Sequence, residues 1–395
     1  MPPPPPTLPD ELIEEIFLRL PPNEPARLVR ASLASKLWLG ILTGARFRGL
    51  YRDLHGAPPM LGFIYSCPQD DLPKPEDEEE DNNLPNFVAT AKFGVRIPAV
   101  EDWRGWHRDY TAWDCRHGRV LYCKTDVIPM PLVVWDPMTG RRRLMYAPED
   151  YDTSGAAVFC NDPGCDHRDC HGGPFQVVYV GLYNGDGGSV AYAMVSLPEI
   201  GKWSESCPAL DLAIEDAFIV DKPPVCIQDA FYFMLTYEYD DDNGGHDNIA
   251  ILKYELGSNC LSLIHAPPAK TGLAGDAVIM AMEEGCLGFA HVDGLTLKLW
   301  SWHIGSKGVM TWTCSRVIDL KILRPIQNPK EKLRLIGSVE YNDIIFMSID
   351  LGIYKINLKS LRSKKIWKRE QCRALFPYMS FYNPPERASL SDVAH

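Results

Sequence analysis

Between Leu8 and Leu20 the apolar residues Leu8, Leu12, Ile16 and Leu20 recur every four positions, and Ile13 and Phe17 widen the stripe. That period predicts an amphipathic helix. Pro9 suits a first helical turn, where its missing N–H is no loss, and Asp10 and Glu11 put negative charge at the positive end of the helix dipole. Pro21-Pro22 ends the helix. Asn23 is the candidate N-cap of a second helix carrying Leu28, Val29 and Leu33, and a third short helix carries Trp38, Ile41 and Leu42. The expectation is a small all-α three-helix unit over residues 7–55, preceded by a disordered Pro-rich tail at 1–6. So small a unit buries little surface, so a partner or the next domain must cover its remaining apolar face.

After His55-Gly56 the pattern changes to short β-branched and aromatic runs separated by Gly, Pro, Asn and Asp, the texture of many strands and turns. Strand-like segments begin at Leu61, Gly118, Phe175, Asp229, Gly285 and Asn342, at intervals of 54 to 57 residues. A second landmark, strand-turn-strand, follows most of them, as in 133–141, 193–203, 251–261, 297–312 and 352–367. A repeat of this length with three or four strands reads as a propeller blade of the kelch-like class, longer than a WD-type blade. The expected fold is an all-β domain over 56–385, a β-propeller of six blades, with a β-sandwich as the competing reading. The segment Pro377–Tyr382 is placed to supply a strand that closes the ring, and residues 386–395 read as a disordered tail.

Composition narrows the function classes. The 395 residues are 46% hydrophobic and 23% charged, the balance of a folded chain with a sizeable core. Forty basic against 52 acidic residues give −12, which disfavours nucleic-acid binding because the chain lacks a positive field for phosphates. No run of about 18 apolar residues occurs and the proline-rich start lacks a signal-peptide pattern, so neither membrane association nor secretion is expected. Cytoplasm, nucleus or both then follow, and the 12 cysteines read as thiols or metal ligands rather than a disulfide framework.

Several clusters carry candidate chemistry. Cys160, Cys165, His167, Cys170 and His171 lie within 12 residues, and thiolate and imidazole are the donors that tetrahedral zinc prefers. Their spacing is not that of paired Cys-x-x-Cys knuckles, so an unmetallated loop is the competing reading. Six consecutive acidic residues at 76–81, within a loop at 75–83, repel one another and read as a solvated segment. Lys355, Lys359, Arg362, Lys364, Lys365, Lys368, Arg369 and Arg373 make the last repeat basic against Glu370, either a solvated face or a contact for an acidic partner. Trp103, Trp106, Tyr110 and Trp113 are candidates for interblade packing or for a binding surface. No phosphate-binding glycine loop, Gly-x-Ser-x-Gly or His-Glu-x-x-His string occurs, so no catalytic residues are assigned and an enzyme is not expected. No cofactor is expected beyond a structural zinc at the Cys/His cluster.

The order Leu8-Pro9-Asp10-Glu11-Leu12, Glu15-Ile16, Arg19-Leu20-Pro21, Leu28-Val29-Arg30, Ser35-Lys36-Leu37-Trp38 and Phe47 resembles the F-box motif along its whole length. Two positions depart from it: Ser35 stands where the family commonly has Cys, and Leu39 where a basic residue often follows the Trp. The segments 114–121, 135–140 and 377–382 resemble parts of the F-box-associated propellers of large plant F-box families. The resemblance implies docking onto the adaptor subunit of a cullin–RING (SCF-type) ubiquitin ligase, and through it indirectly onto the cullin. It assigns adaptor contact and local packing to Leu8, Pro9, Leu12, Ile16, Leu20, Pro21, Leu28, Val29, Lys36 and Trp38. It further implies that the propeller holds an unidentified protein substrate for ubiquitination. The alternative is a non-catalytic interaction scaffold acting outside a ligase.

Overall fold

A computed structural model of the chain describes residues 8–66, 87–89, 110–197, 201–239, 246–268, 276–305, 308–323, 333–349, 351–368 and 372–382. The acidic run at 76–81, Trp103, Trp106, Arg369, Glu370 and both expected tails lie outside these residues.

The N-terminal unit has four helices where three were expected: α1 (Asp10–Leu18), α2 (Ala26–Ala34), α3 (Lys36–Thr43) and α4 (Ala45–His55). Helix α1 follows extended Pro9 and carries Asp10 and Glu11 in its first turn. The second helix is not capped by Asn23: Glu24 N donates to Pro21 O in a turn, and α2 begins after Pro25, whose fixed φ of −59° already suits a helix. Ser35 breaks the chain between α2 and α3 in an extended conformation and accepts a hydrogen bond from Leu37 N. The fourth helix starts after extended Gly44 and stops at Gly56, whose φ of 69° a glycine adopts without strain. Arg46, Arg48, Gly49 and Arg52 dilute its apolar stripe, which hid it from the periodicity.

Ile13, Phe17, Leu28, Leu42, Phe47 and Tyr51 form the core of this helical head, and Phe381 joins them from the far end of the chain. Trp38 packs edge-on against Phe17, with ring centroids 5.4 Å apart. Tyr51 Oη donates to Leu20 O at 2.8 Å, and His55 Nε2 donates to Leu18 O at 2.9 Å, so α4 also satisfies carbonyls at the end of α1.

The body is a six-bladed β-propeller, and the competing sandwich is excluded. Blade 1 combines Met60–Ser66 and Phe87–Ala89 with the C-terminal strand Ala374–Met379. Blade 2 spans Thr111 to Tyr146, blade 3 Thr153 to Asp211, blade 4 Phe218 to His265, blade 5 Ala277 to Asp319 and blade 6 Arg334 to Trp367. Five of the six sequence landmarks fall at or one to two residues before the second strand of a blade, and Leu61 lies one residue inside its strand. The first strand of blade 4 is broken into Phe218–Ile219 and Val225–Ile227, because Pro223 and Pro224 between them cannot donate to a ladder.

Each blade is buried on both faces, which is why its second strand is largely apolar rather than alternating; Ile344–Ile349 is buried at every position. Separate apolar clusters fill the contacts between blades 1 and 2, 2 and 3, 3 and 4, 4 and 5, 5 and 6, and 6 and 1. The last contact closes the ring: Met60–Ser66 pairs antiparallel with Ala374–Met379, with Ile64 opposite Phe376. The closing segment thus ends at Met379, and Phe381 beyond it serves the head. Within the described residues, no helix is long and apolar enough to cross a membrane.

The innermost strands of blades 6 and 1 approach closely at Gly337, where a Cβ would overlap the backbone oxygen of Leu375. Gly337→Ala is therefore expected to cost about 1–3 kcal/mol by forcing the two strands apart. Chemical unfolding would show this as a lower midpoint at unchanged slope, and an unchanged midpoint would mean that the closure has slack there.

Candidate functional site

Helix α1 carries two apolar faces. Ile13 and Phe17 face the head core at 8% and 6% exposure, whereas Leu8, Leu12 and Ile16 stand 55%, 51% and 52% exposed. One helical turn separates each exposed residue from the next, so they form a stripe on one side of the helix. Leu33 and Leu37, 80% and 50% exposed, add apolar side chains on either side of the α2–α3 break. They were not among the expected contact residues, because the apolar period alone does not say which face of α2 turns outward. Full burial of one leucine-sized side chain contributes about 1.5–3 kcal/mol, so a partner covering this surface gains substantially.

Not all expected contact residues lie on that surface. Leu28 is 2% exposed and belongs to the head core, and Leu20 and Trp38 pack partly against the same core. Pro9 and Lys36 are exposed, while Pro21 and Val29 are half-buried.

The head is braced against the propeller. Arg168, in the loop that joins the first two strands of blade 3, donates to Arg52 O and to Asp53 Oδ1 on α4, both at 3.0 Å. Its Nε is held by Asp166 Oδ2 at 2.7 Å. Phe381 enters the head core beside Tyr51, with ring centroids 6.0 Å apart, and Ser380 N donates to Pro59 O. The brace therefore combines a charged contact and an apolar one on two sides of the linker at 56–59.

Arg168 belongs to the Cys/His loop. The structure divides the five candidate metal ligands: one ligand atom from each of Cys160, Cys165, His167 and Cys170 lies within 4.8 Å of the others. His171 turns away, its Nδ1 lying 2.9 Å from Asp136 Oδ2. Asp136 itself anchors the 135–140 hairpin turn by accepting from Met138 N at 2.9 Å and Thr139 Oγ1 at 2.7 Å. Burial pushes the Cys170 thiol up, with the Cys160 and Cys165 sulfurs adding to the effect.

The propeller axis is crossed by a buried polar network. Arg116 of blade 2 donates to Asp114 Oδ2 at 3.2 Å, to Pro224 O at the start of the blade 4 strand at 3.0 Å, and to Glu340 Oε1 at the end of the blade 6 strand at 2.5 Å. Val158 N of blade 3 donates to Asp114, and Cys226 N of blade 4 donates to Glu340. One guanidinium thus serves two carboxylates. Burial would lower the Arg116 pKa, but Asp114 and Glu340 outweigh it and keep the group charged. Burial raises Asp114 to about 7, with Glu340 adding and Arg116 opposing. Toward the other end of the axis Lys222 donates to Leu335 O at 2.9 Å and to Ala277 O, and burial lowers its pKa to about 7.

Each end of the axis opens into a cavity. One of about 630 Å³ is bordered by Arg116, His117, His167, Glu340 and Pro58, next to the head. The other, of about 330 Å³, is bordered by Trp113, Tyr151, Asp152, Asp221, Lys222 and Phe233. Trp113 also packs between blades 2 and 3 and Tyr110 between blades 1 and 2. The basic last blade is largely an outer edge: Lys364 and Lys365 lie exposed on Arg362–Trp367, and Lys359 pairs with Glu283 and Asp343. Lysines on an outermost strand oppose edge-to-edge pairing with another chain.

Residues 6–48 match the F-box domain. No curated protein matches the chain. Among solved structures, TolB from Acinetobacter baumannii is 11% identical over 87% of this chain and 73% of its own, with a TM-score of 0.39. The WD40 domain of SCAP from fission yeast is 12% identical over 67% of this chain and 57% of its own, with a TM-score of 0.32. Acylaminoacyl peptidase from Pyrococcus horikoshii is 10% identical over 66% of this chain and 39% of its own, with a TM-score of 0.35. The chain thus spans less than two thirds of the last two, and none of these distant likenesses bears on function.

Two outcomes test the axial network. Arg116→Leu leaves the buried Asp114 carboxyl and the half-buried Glu340 carboxylate without their cation and is expected to cost about 3–5 kcal/mol in chemical unfolding. The folded pKa of Asp114, about 7, exceeds its unfolded value of about 4. Its contribution to stability is then greatest below the unfolded value and is lost as pH rises through the folded one. Unfolding free energies of Asp114→Asn, measured from pH 4 to 7, should fall less with pH than those of the parent; parallel curves would refute this assignment.

Proposed function

We propose that this chain is a substrate receptor of a cullin–RING ubiquitin ligase, with the helical head docking onto the adaptor subunit and the propeller holding a target protein. The observation that carries the reading is the uncovered stripe Leu8, Leu12 and Ile16, inside the segment that matches the F-box domain. Pro9, Lys36, Pro21 and Val29 complete the docking surface, while Leu20, Leu28 and Trp38 support it from within. The cullin is reached through the adaptor. The repeat of 54 to 57 residues supports the kelch-like class of blade.

In this reading the receptor catalyses nothing itself. It holds a target lysine near the charged conjugating enzyme, so that a bimolecular encounter becomes effectively intramolecular. A rigid link raises that effective concentration, which gives the Arg168 and Phe381 contacts a purpose beyond stability. The 330 Å³ cavity lies at the end of the axis away from the head and is open to a target segment. Function in the cytoplasm, the nucleus or both accords with this role.

Leu12→Asp and Ile16→Asp each put a carboxylate into the docking surface without entering the head core. Each is expected to weaken adaptor binding by several kcal/mol, enough to abolish co-purification, while leaving the thermal unfolding of the chain unchanged. Capture from co-expression with the adaptor and cullin measures this. Adaptor retained by both variants would overturn the proposal, and adaptor recovered by the parent without cullin would put the scaffold reading in its place.

A further inference from the structure

The loop at 161–174 leaves blade 3 at Cys160 and returns at Phe175, and its backbone is closed at both ends. Asn161 N donates to Pro174 O at 3.1 Å and Gly173 N to Cys170 O at 3.0 Å. The buried Arg119 guanidinium donates to Cys170 O at 2.5 Å and Gly173 O at 2.7 Å. These bonds fix the two ends of the loop, and the intervening side chains converge. The sulfurs of Cys160, Cys165 and Cys170 and one ring nitrogen of His167 lie within 4.8 Å of one another. A tetrahedral zinc with Zn–S of about 2.3 Å and Zn–N of about 2.1 Å needs donor separations of roughly 3.6–3.8 Å. The observed spread is within about 1 Å of that, a distance that side-chain rotation covers.

The surroundings are those of a built site. Cys160 and Cys170 are 8% and 9% exposed, so a bound ion would be shielded from water. His167 N donates to Cys165 Sγ at 3.3 Å, the kind of N–H···S contact that steadies a thiolate. The ring of His117, on the neighbouring blade 2 turn, stacks on that of His167 at 4.4 Å and 13°, fixing its plane. His167 has a φ of 58°, a left-handed conformation that a non-glycine residue holds only when its surroundings impose it. His171 is committed to Asp136 and takes no part.

We propose that Cys160, Cys165, His167 and Cys170 bind one structural Zn²⁺ as a Cys₃His site. All four positions are protein donors, so no place remains for a catalytic water. The ion closes a loop of 11 residues whose member Arg168, adjacent to a ligand, grips Arg52 and Asp53 on α4. Zinc at this point fixes the brace between propeller and head, whichever partner the head binds.

Elemental analysis of the purified full-length protein tests this. About one zinc per chain is expected, lost on Cys165→Ser/Cys170→Ser and retained on Cys314→Ser, a cysteine exposed on the outer strand of blade 5. Because the double variant could fail to fold, a second measurement uses the parent protein: exchange of the native ion for Co²⁺ should give thiolate-to-cobalt charge transfer in the near ultraviolet and intense visible d–d bands of a tetrahedral site. Folded parent protein with zinc at the blank level, a disulfide among Cys160, Cys165 and Cys170 in freshly purified chain, or a cobalt spectrum without thiolate charge transfer would each overturn the proposal.

Discussion

Pairing of Ala374–Met379 with Met60–Ser66 is the interaction on which the rest of the structure depends. It converts five consecutive hairpin-built sheets and one incomplete one into a ring, so that every blade has a neighbour on each face. Without it the apolar faces of blades 1 and 6 would be exposed together with two sheet edges. The same segment then continues to Phe381, which completes the core of the helical head. Ring closure and head placement therefore depend on one C-terminal segment, whose partners lie more than 300 positions earlier in sequence.

Apolar contact between blades supplies cohesion but little uniqueness, because one twisted sheet face fits another in several ways. The axial network adds direction. Arg116 binds groups from blades 2, 4 and 6 at once, and Asp114 brings in blade 3. A buried charge shared among several strands is costly unless all partners are present together, which penalises any register or blade order that separates them. Lys222 plays a similar part between blades 5 and 6.

The head shows the opposite arrangement. Its core is small and borrows Phe381 from the propeller, yet α1 leaves Leu8, Leu12 and Ile16 to solvent. An isolated domain gains nothing from such a stripe, whereas a docking module requires it. The contacts of Arg168 with α4 hold the head to the loop where the four Cys and His donors meet. Brace and donor cluster thus occupy the end of the propeller axis that the head borders.

The sequence by itself determined the two-part organisation, the first three helices and the six-fold repeat, because each depends on local periodicity: four-residue recurrence for helices and a 54–57-residue return of apolar strands for blades. It also brought the Cys and His donors into view through their density within a short loop. Helix α4 stayed hidden because its arginines and glycine weaken the stripe, and its stability comes from Phe47 and Tyr51 packing on distant residues. Periodicity could not say that Leu28 faces inward while Leu33 faces out, since both lie on the apolar positions of one short helix. Nor could it find Arg116, Asp114 and Glu340, whose meeting requires blades 2 and 6 to face each other across the axis. Only the closed ring decided which of five neighbouring Cys and His side chains face one another, because Asp136, on a different blade, draws His171 away.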